Sequence, residues 1–573
     1  MTHPKLLDRD IDPRLPSNGP VASKGRRGTA LLCVVCLIIA AIAWVTGLSQ
    51  TPADHQERQV AGDVDAAPQY PVSGYFISAS NDDVFNRNKL AEIKKLGGDT
   101  VITFGTLLKP VSPADLPLDC IVERKSCGQL LNDKLRVNRY FTYSDGSRWG
   151  SPALKCPQDK EVATGEKLFT ILVVPVEGKG CSSSSGTYDV IVVGGSSRNS
   201  DDPATSLASA ATELGMQYFA GLPSPVKRTD VDYLPDLTYQ RTLVAFTERF
   251  LEYQANVNNV AGLAGFYHHT EMPLTNSDVF QPILNLYTLQ NQAIHRVFPT
   301  RSAVISPYLD TRRNSPSITL DAARKGALRI AETSAGVPLN VAIQDGMGTG
   351  KAAAFTPAEA QASVDKYAES VVGKGTWESK YTAPISAYMD AAAEGLSQSQ
   401  AVLWANLEGM APATGSNACG NSLRGQTTKT RIDRQLQQLY RATRVISFMW
   451  DSYYTCVGAG TPLKSQVESG IDAPVVTSAT FQAGAGKVEI AGFNISGGKA
   501  TIAWTTASGQ RKQVSAEPSL TNPSLGKQLG LHPQLEMITV EVGPTTLKPS
   551  QNPLINVTNR WGAGVSYVSS PNG

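Results

Sequence analysis

Eight short apolar runs, separated almost everywhere by amphipathic stretches, constrain this chain more than any other feature. The runs are 74–78, 100–104, 216–221, 260–267, 303–308, 339–346, 401–408 and 444–450. Each is short and rich in Val, Ile, Phe, Tyr or Trp, so each reads as a strand. Helical patterns lie between them at 86–96, 206–214, 237–257, 279–297, 320–333, 357–372 and 432–442. Gly97-Gly98 stops the first of these helices, and Thr356 with Pro357 opens the sixth as N-cap and N1. Alternation of strand and helix favours a parallel sheet, and eight units favour a closed barrel over an open doubly wound sheet. No Gly-x-Gly-x-x-Gly follows the first strand, so a dinucleotide fold has little support. The expected fold class is α/β, a (β/α)8 TIM barrel over residues 71–460.

Ahead of the barrel, 29–48 is one apolar stretch about as long as a bilayer core is thick, with Lys24, Arg26 and Arg27 before it. The positive-inside rule then keeps residues 1–28 in the cytoplasm and the remainder outside. The stretch is long for the apolar part of a cleaved signal peptide, and no small-x-small site follows it directly. Cys36 lacks the preceding small residue of a lipoprotein site. The expected organisation is a tail (1–28), a transmembrane signal-anchor (29–48), a polar linker (49–70) and an extracellular bulk held at the cell membrane.

The barrel series is interrupted at 107–200. This segment carries Cys120, Cys127, Cys156 and Cys181 and two strand-like runs, 168–174 and 188–193. It reads as an inserted, disulfide-bearing subdomain on the active-site face. With Cys419 and Cys456 it completes an even set of exported cysteines, not spaced as a zinc site. Six cysteines leave the connectivity open; the local choice is Cys120–Cys127, Cys156–Cys181 and Cys419–Cys456. From 473 to 573 helical periods give way to alternating runs divided by turn residues, a β-sandwich that packs as a spacer or binds carbohydrate. Trp504, Trp561 and Tyr567 are its only prominent aromatics, which favours the spacer. A net charge of +2 over 573 residues gives no case for a nucleic-acid partner.

In a parallel barrel all C-terminal strand tips share one face, where catalytic groups sit. The fourth run leads into Tyr267-His268-His269-Thr270-Glu271, and the seventh ends in Trp404-Ala405-Asn406-Leu407-Glu408. Paired carboxylates across one mouth are what glycoside hydrolysis requires. Glu271 and Glu408 are therefore the candidate catalytic residues. The candidate substrate-binding residues are Tyr267, His268, His269, Tyr308, Gln344, Asp345, Trp404, Asn406 and Trp450. Here the two Trp rings offer flat apolar faces, while Asn406, Gln344 and Asp345 hold hydroxyls. The bland alternative has Glu408 pairing with an Arg and Trp404 in the core. A metal site from His268, His269, Glu271 and Asp345 ranks third, because adjacent side chains on a strand point to opposite faces. No metal or cofactor is expected.

The segments Gly74-Tyr75-Phe76-Ile77, 266–271, 305–308, 344–348 and 404–408 together resemble a bacterial domain of unknown function. That domain is regarded as a TIM barrel similar to glycoside hydrolases. The resemblance spans about 72–454 without the insertion. Its most specific parts are Gln344-Asp345-Gly346-x-Gly348 and Trp404-Ala405-Asn406-x-Glu408. The chain also resembles the large glycosidase clan with acid/base and nucleophile Glu at strands four and seven. That resemblance implies Glu271 as acid/base and Glu408 as nucleophile. The clan has Asn before its acid/base, where this chain has Thr270, so the usual partner of the sugar 2-hydroxyl is absent. The implied function is a membrane-anchored extracellular glycoside hydrolase acting on a cell-envelope or extracellular polysaccharide. The alternative is a catalytically inactive barrel that binds an envelope glycan or a protein partner.

Full-length protein is expected to sediment with membranes and to keep its N-terminus. Recovery of a free chain beginning near Gln50, by mass spectrometry, would mean a cleaved signal instead.

Overall fold

The computed structural model describes residues 69–569, apart from 123, 133, 198–200, 232, 316, 420–421, 459, 507 and 544–551. The expected tail, the expected membrane helix at 29–48 and nearly all of the linker lie outside the described residues. Among the described residues no helix is long and apolar enough to cross a membrane.

The eight expected strands form. They are β1 (Gly74–Phe76), β2 (Thr100–Ile102), β3 (Gln217–Gly221), β4 (Leu263–His268), β5 (Ser302–Ile305), β6 (Leu339–Gln344), β7 (Val402–Glu408) and β8 (Arg444–Phe448). All pair in parallel and in chain order, and β8 closes on β1 through Gly74 beside Ile446. Side chains alternate across this wall. On β7, Leu403, Ala405 and Leu407 join the cluster under the helices, while Trp404 joins Phe76, Ile102, Phe219, Tyr267, Val304 and Ile446 in the lumen. The same alternation turns Asn406 and Glu408 inward.

Helices α1 (Asp83–Lys95), α2 (Pro203–Leu214), α3 (Gln240–Val257), α4 (Gln281–Val297) and α5 (Leu320–Ala331) fall where the periodicity puts them. The sixth does not. The expected helix at 357–372 breaks into a 3-10 turn, Pro357–Glu359, and a separate helix, Lys366–Val372. Asp365 starts that second helix by accepting from the Ala368 N–H at 2.7 Å, while Ser363 bridges to Thr376. The helix that packs on α5 and β7 is instead α6 (Ile385–Leu396), which buries Ile385, Tyr388, Met389, Ala392 and Leu396 along one stripe. α7 (Lys429–Leu436) then leads to β8.

The insertion is a mostly antiparallel sheet ordered 224–225, 107–111, 136–143, 187–197, 167–175, 160–164. Its first pair, Ser224 with Leu107, ties it to the chain just beyond β2 and β3, at the mouth. Its broad face lies along α3. Trp149 stacks on Tyr253 at 4.7 Å and on Phe246 at 5.6 Å between ring centres. Beneath this stack the Asp159 carboxylate, wholly buried, accepts from the N–H groups of Lys155, Cys156 and Val173 and pairs with Arg249 at 2.5 Å. The three disulfides join Cys120 to Cys127, Cys156 to Cys181 and Cys419 to Cys456.

After β8 the chain makes two antiparallel sheets, 475–482/487–493/535–541/518–522 and 511–516/499–505/554–559 with short edge strands. Val488, Ile490 and Val540 from the first share one apolar cluster with Ile502, Trp504 and Ile555 from the second. Trp504 is thus core. Val475, Phe493 and Leu535 belong instead to the cluster under the barrel's helices. This unit is packed directly on the barrel.

Asp159→Ala should cost about 3–5 kcal/mol, because it leaves the Arg249 guanidinium buried without its partner. Urea denaturation measures this; a loss below 1 kcal/mol would contradict the role given to the pair.

Candidate active site

Glu271 stands three residues beyond the end of β4. The tip delivers its side chains in alternation. Tyr267 points into the lumen, with its ring edge-on to Phe76 at 5.0 Å. His268 points outward, where its ring nitrogens meet Gln290 Oε1 at 3.1 Å and Asn291 Oδ1 at 2.8 Å on α4. Burial lowers its pKa to about 4. His269 turns back to the mouth, donates to the Gly105 carbonyl and lies 5.4 Å from the Phe104 ring. The Thr270 hydroxyl meets Ser224 at 3.2 Å.

Isolated bridges carry the sheet beyond the strand ends, from Pro273 to Tyr308 and from Tyr308 to Gln344. They bring Tyr308 and Gln344 beside Glu271. Gln344 Nε2 donates to Glu271 Oε1 at 2.9 Å. Burial raises the Glu271 pKa, against the opposing pull of Gln344, Arg424, Lys351 and Lys227. Tyr267, Tyr287 and Tyr308 are all within its electrostatic reach.

Glu408 ends β7 and is 5% exposed. The loop after β6 closes over it. Gly346 adopts φ +69°, a left-handed turn that suits glycine, and Asp345 Oδ1 accepts from the Met347 N–H at 3.0 Å. A Cβ at Gly348 would lie 2.6 Å from the Glu408 Cβ, so only glycine lets the loop approach this near. Thr349 then donates to Glu408 Oε2 twice, from its N–H at 2.7 Å and its hydroxyl at 3.1 Å. The Gln-Asp-Gly-x-Gly segment is therefore a clamp on the second carboxylate. Beneath it, Asp345 accepts from the Glu408 N–H at 3.4 Å and from Gln435 Nε2 at 2.7 Å. Burial, and next the Glu408 charge, push the Asp345 pKa up to about 7.

Glu271 and Glu408 thus rise from the fourth and seventh strands onto one face. Lys351 on the clamp loop interacts electrostatically with both. Asn406 is inward and donates to Ser306 Oγ at 3.0 Å, one layer below Glu408.

Four expected contacts are not delivered. His268 belongs to the helix layer, and Asp345, 0% exposed, holds Glu408 from beneath rather than reaching a sugar hydroxyl. Trp404 lies four residues below the tip, edge-on to Phe219 at 5.9 Å and with the Arg444 guanidinium 5.1 Å from its ring, so it packs the barrel floor. Trp450 is 1% exposed, stacked on Tyr454 and edge-on to Tyr75 outside the wall. The apolar surface at the mouth comes instead from the half-buried rings of Phe104 and Phe448, 5.8 Å apart. Phe104, Phe448, Thr349, Lys351, Arg424 and Gln435 were not singled out in the sequence. Phe104 was visible as the last residue of the run 100–104 and Phe448 lies within the run 444–450; the loop residues carry no periodic signal. Among the described residues no group of three or more His, Cys, Asp or Glu side chains is placed to hold a metal ion.

No protein-family model matches the chain, and no curated protein matches it. Solved structures similar to it include a suspected alpha-L-fucosidase from Bacteroides thetaiotaomicron, at 11% identity and TM-score 0.37, covering 72% of this chain and 96% of that one. An endo-beta-1,4-mannanase from Thermotoga petrophila matches at 9% identity and TM-score 0.29, covering 88% and 98%. A Bacteroides uniformis beta-glucuronidase matches at 11% identity and TM-score 0.27, covering 64% of this chain and 39% of that one.

Asp345 gives a pH test. An unfolded Asp titrates near 4, roughly three units below the folded value of about 7. Between these values the native state keeps a proton that the unfolded chain has released, so unfolding free energy falls as pH rises from about 4 to 7. Asp345→Asn removes that term. Its stability relative to wild type should improve by a few kcal/mol from pH 4 to pH 7 in urea denaturation; a constant difference would contradict the shift.

Proposed function

We propose that this chain is a glycoside hydrolase in which Glu271 and Glu408 act together on a polysaccharide. One observation carries this reading: two carboxylates reach one mouth from strands four and seven, in environments of opposite kind. Glu271 sits where burial favours its protonated form, which suits a proton donor. Glu408 accepts two hydrogen bonds at one oxygen from Thr349, which fixes its orientation and leaves Oε1 less engaged.

In the retaining version of this chemistry, Glu271 protonates the glycosidic oxygen as the bond to the anomeric carbon breaks. Glu408 Oε1 attacks that carbon and forms a glycosyl ester. Glu271, now ionised, takes a proton from water, which displaces Glu408 and releases the sugar. Asp345 and Gln435 position Glu408 from below, through its backbone N–H and carbonyl. Phe104 and Phe448 provide apolar ring faces against which a sugar can lie. The apolar stretch 29–48 would anchor the enzyme in the membrane, with its substrate in the cell envelope or beyond.

A binding-only barrel is the second reading. It is favoured by Thr270, whose hydroxyl is turned to Ser224 rather than to a sugar. Full-length protein in detergent, screened against bacterial envelope glycans for new reducing ends, separates the two. Glu271→Gln and Glu408→Gln should each lower turnover on the order of 10²–10⁴-fold. Wild-type activity should also decline with rising pH as Glu271 ionises. Equal rates in all three proteins would remove the pair from the mechanism; tight binding without turnover would leave the binding reading.

A further inference from the structure

Between β6 and α6, where one helix was expected, the chain makes an excursion at 357–381. It packs on itself around Phe355, Trp377 and Tyr381. Ordering so long a connection costs conformational entropy, which a plain helix would have repaid more simply. The contacts of the excursion run to the clamp loop. Tyr381, 0% exposed, donates its hydroxyl to the Gly350 carbonyl at 3.0 Å. Val371 fills the space beside Gly350, where a Cβ would lie 2.8 Å from its Cγ2.

The other end of the loop is held from α7. Arg431, 7% exposed, donates from Nη2 to the Met347 carbonyl at 2.9 Å. Its Nη1 pairs with Asp365, the cap of helix Lys366–Val372, and its guanidinium lies 5.0 Å from the centre of the Tyr367 ring. Arg434 pairs with Glu359 of the 3-10 turn at 2.9 Å. α7 thus grips both halves of the broken helix. It does so with a divided surface. Arg431 and Gln435 are four residues apart and share one face, which holds the Met347 carbonyl, Asp345 and the Glu408 carbonyl. Lys429 and Asp433 share another, where Asp433 accepts from the Tyr70 hydroxyl at 2.5 Å and from Lys429 Nζ at 2.6 Å.

Thr349 stands between the two held carbonyls. Its N–H and its hydroxyl both donate to Glu408 Oε2. A loop fixed at Met347 and at Gly350 leaves Thr349 little room to move without breaking one of those bonds. The orientation of the Glu408 carboxylate is therefore set at one remove, by groups that lie outside the barrel wall. A nucleophile gains from such a fixed orientation, because a small misplacement of the reacting atom is costly in rate.

We propose that Arg431 and Tyr381 are positioning residues for Glu408: they hold the Met347 and Gly350 carbonyls and so keep Thr349 on one carboxylate oxygen. The 357–381 excursion is the brace that brings Asp365 and Tyr381 to this loop. Arg431 is suited to the part because one planar guanidinium reaches a carboxylate and a carbonyl at once. This rests on the hydrolase reading for its effect on turnover, but not for the hold on the loop.

The test uses full-length protein in detergent: wild type, Tyr381→Phe, Arg431→Gln, Arg431→Lys and Tyr70→Phe. Tyr70→Phe is the control, because like Tyr381→Phe it deletes one buried hydroxyl donor, but on the other face of α7. Amide hydrogen exchange, read by mass spectrometry on peptides covering 345–352, reports the Met347 and Thr349 N–H groups that bond Asp345 and Glu408. Exchange there should quicken about 10- to 100-fold in Tyr381→Phe and Arg431→Gln. It should stay at the wild-type rate in Tyr70→Phe, and Arg431→Lys should keep part of the protection because it keeps a donor. Reducing-end release from bacterial envelope glycans then gives kcat, which should fall about 10- to 100-fold in the two loosened variants with KM unchanged. Wild-type exchange in both Tyr381→Phe and Arg431→Gln overturns the inference, as does an equal rise in Tyr70→Phe. Quickened exchange with unchanged kcat also overturns it and leaves the hydrolase reading standing. Quickened exchange in a protein that cleaves no glycan upholds the hold on the loop and tells against the hydrolase reading.

Discussion

Closure of the parallel sheet is the constraint on which everything else depends. Once β8 pairs with β1, every strand has the same polarity around one axis, and residues far apart in sequence meet at one end. The pleat then sorts each tip: odd positions of β7 feed the helix layer and even positions feed the lumen. Glu408 reaches the mouth because it shares the parity of Asn406 and Trp404. His268 is lost to the site because it has the opposite parity to Tyr267.

Much of this was legible because it is local. An apolar run of strand length is an intrinsic property of its own residues, and all eight runs became strands. The nearest-neighbour disulfides formed as spacing favours, since their loops are short. Glu271 and Glu408 were found because each closes an apolar run. What was not legible depends on depth or on partners. Trp404 was read as surface, yet it sits four residues below its tip, and only the pairing with Arg444 shows that depth. Trp450 follows β8 but turns outward to Tyr454. The 357–372 segment has helical composition throughout, and only the Asp365 cap and the Ser363–Thr376 bridge reveal the break that passes the barrel-helix role to α6.

The mouth is also built from unlike charges at close quarters. Asp345 and Glu408 are stacked carboxylates, held by donors from the clamp loop and from Gln435. The cations stand on loops beyond the strand ends, and Lys351 stands on the clamp loop itself.

The Cys419–Cys456 bond has a bearing on when the site comes into being. Cys419 lies within the segment that bears Arg424, and Cys456 lies just after β8, so the covalent link joins that segment to the last stave of the barrel. Cys456 is also made well after the seven earlier strands. One wall of the mouth thus gains its staple only after the whole barrel has been synthesised and the two thiols have lost their electrons to an oxidant. A chain in a reducing compartment would have every residue of the site and lack this final fastening. The oxidation acts as a date stamp, separating the completed molecule from its precursor without any change in sequence.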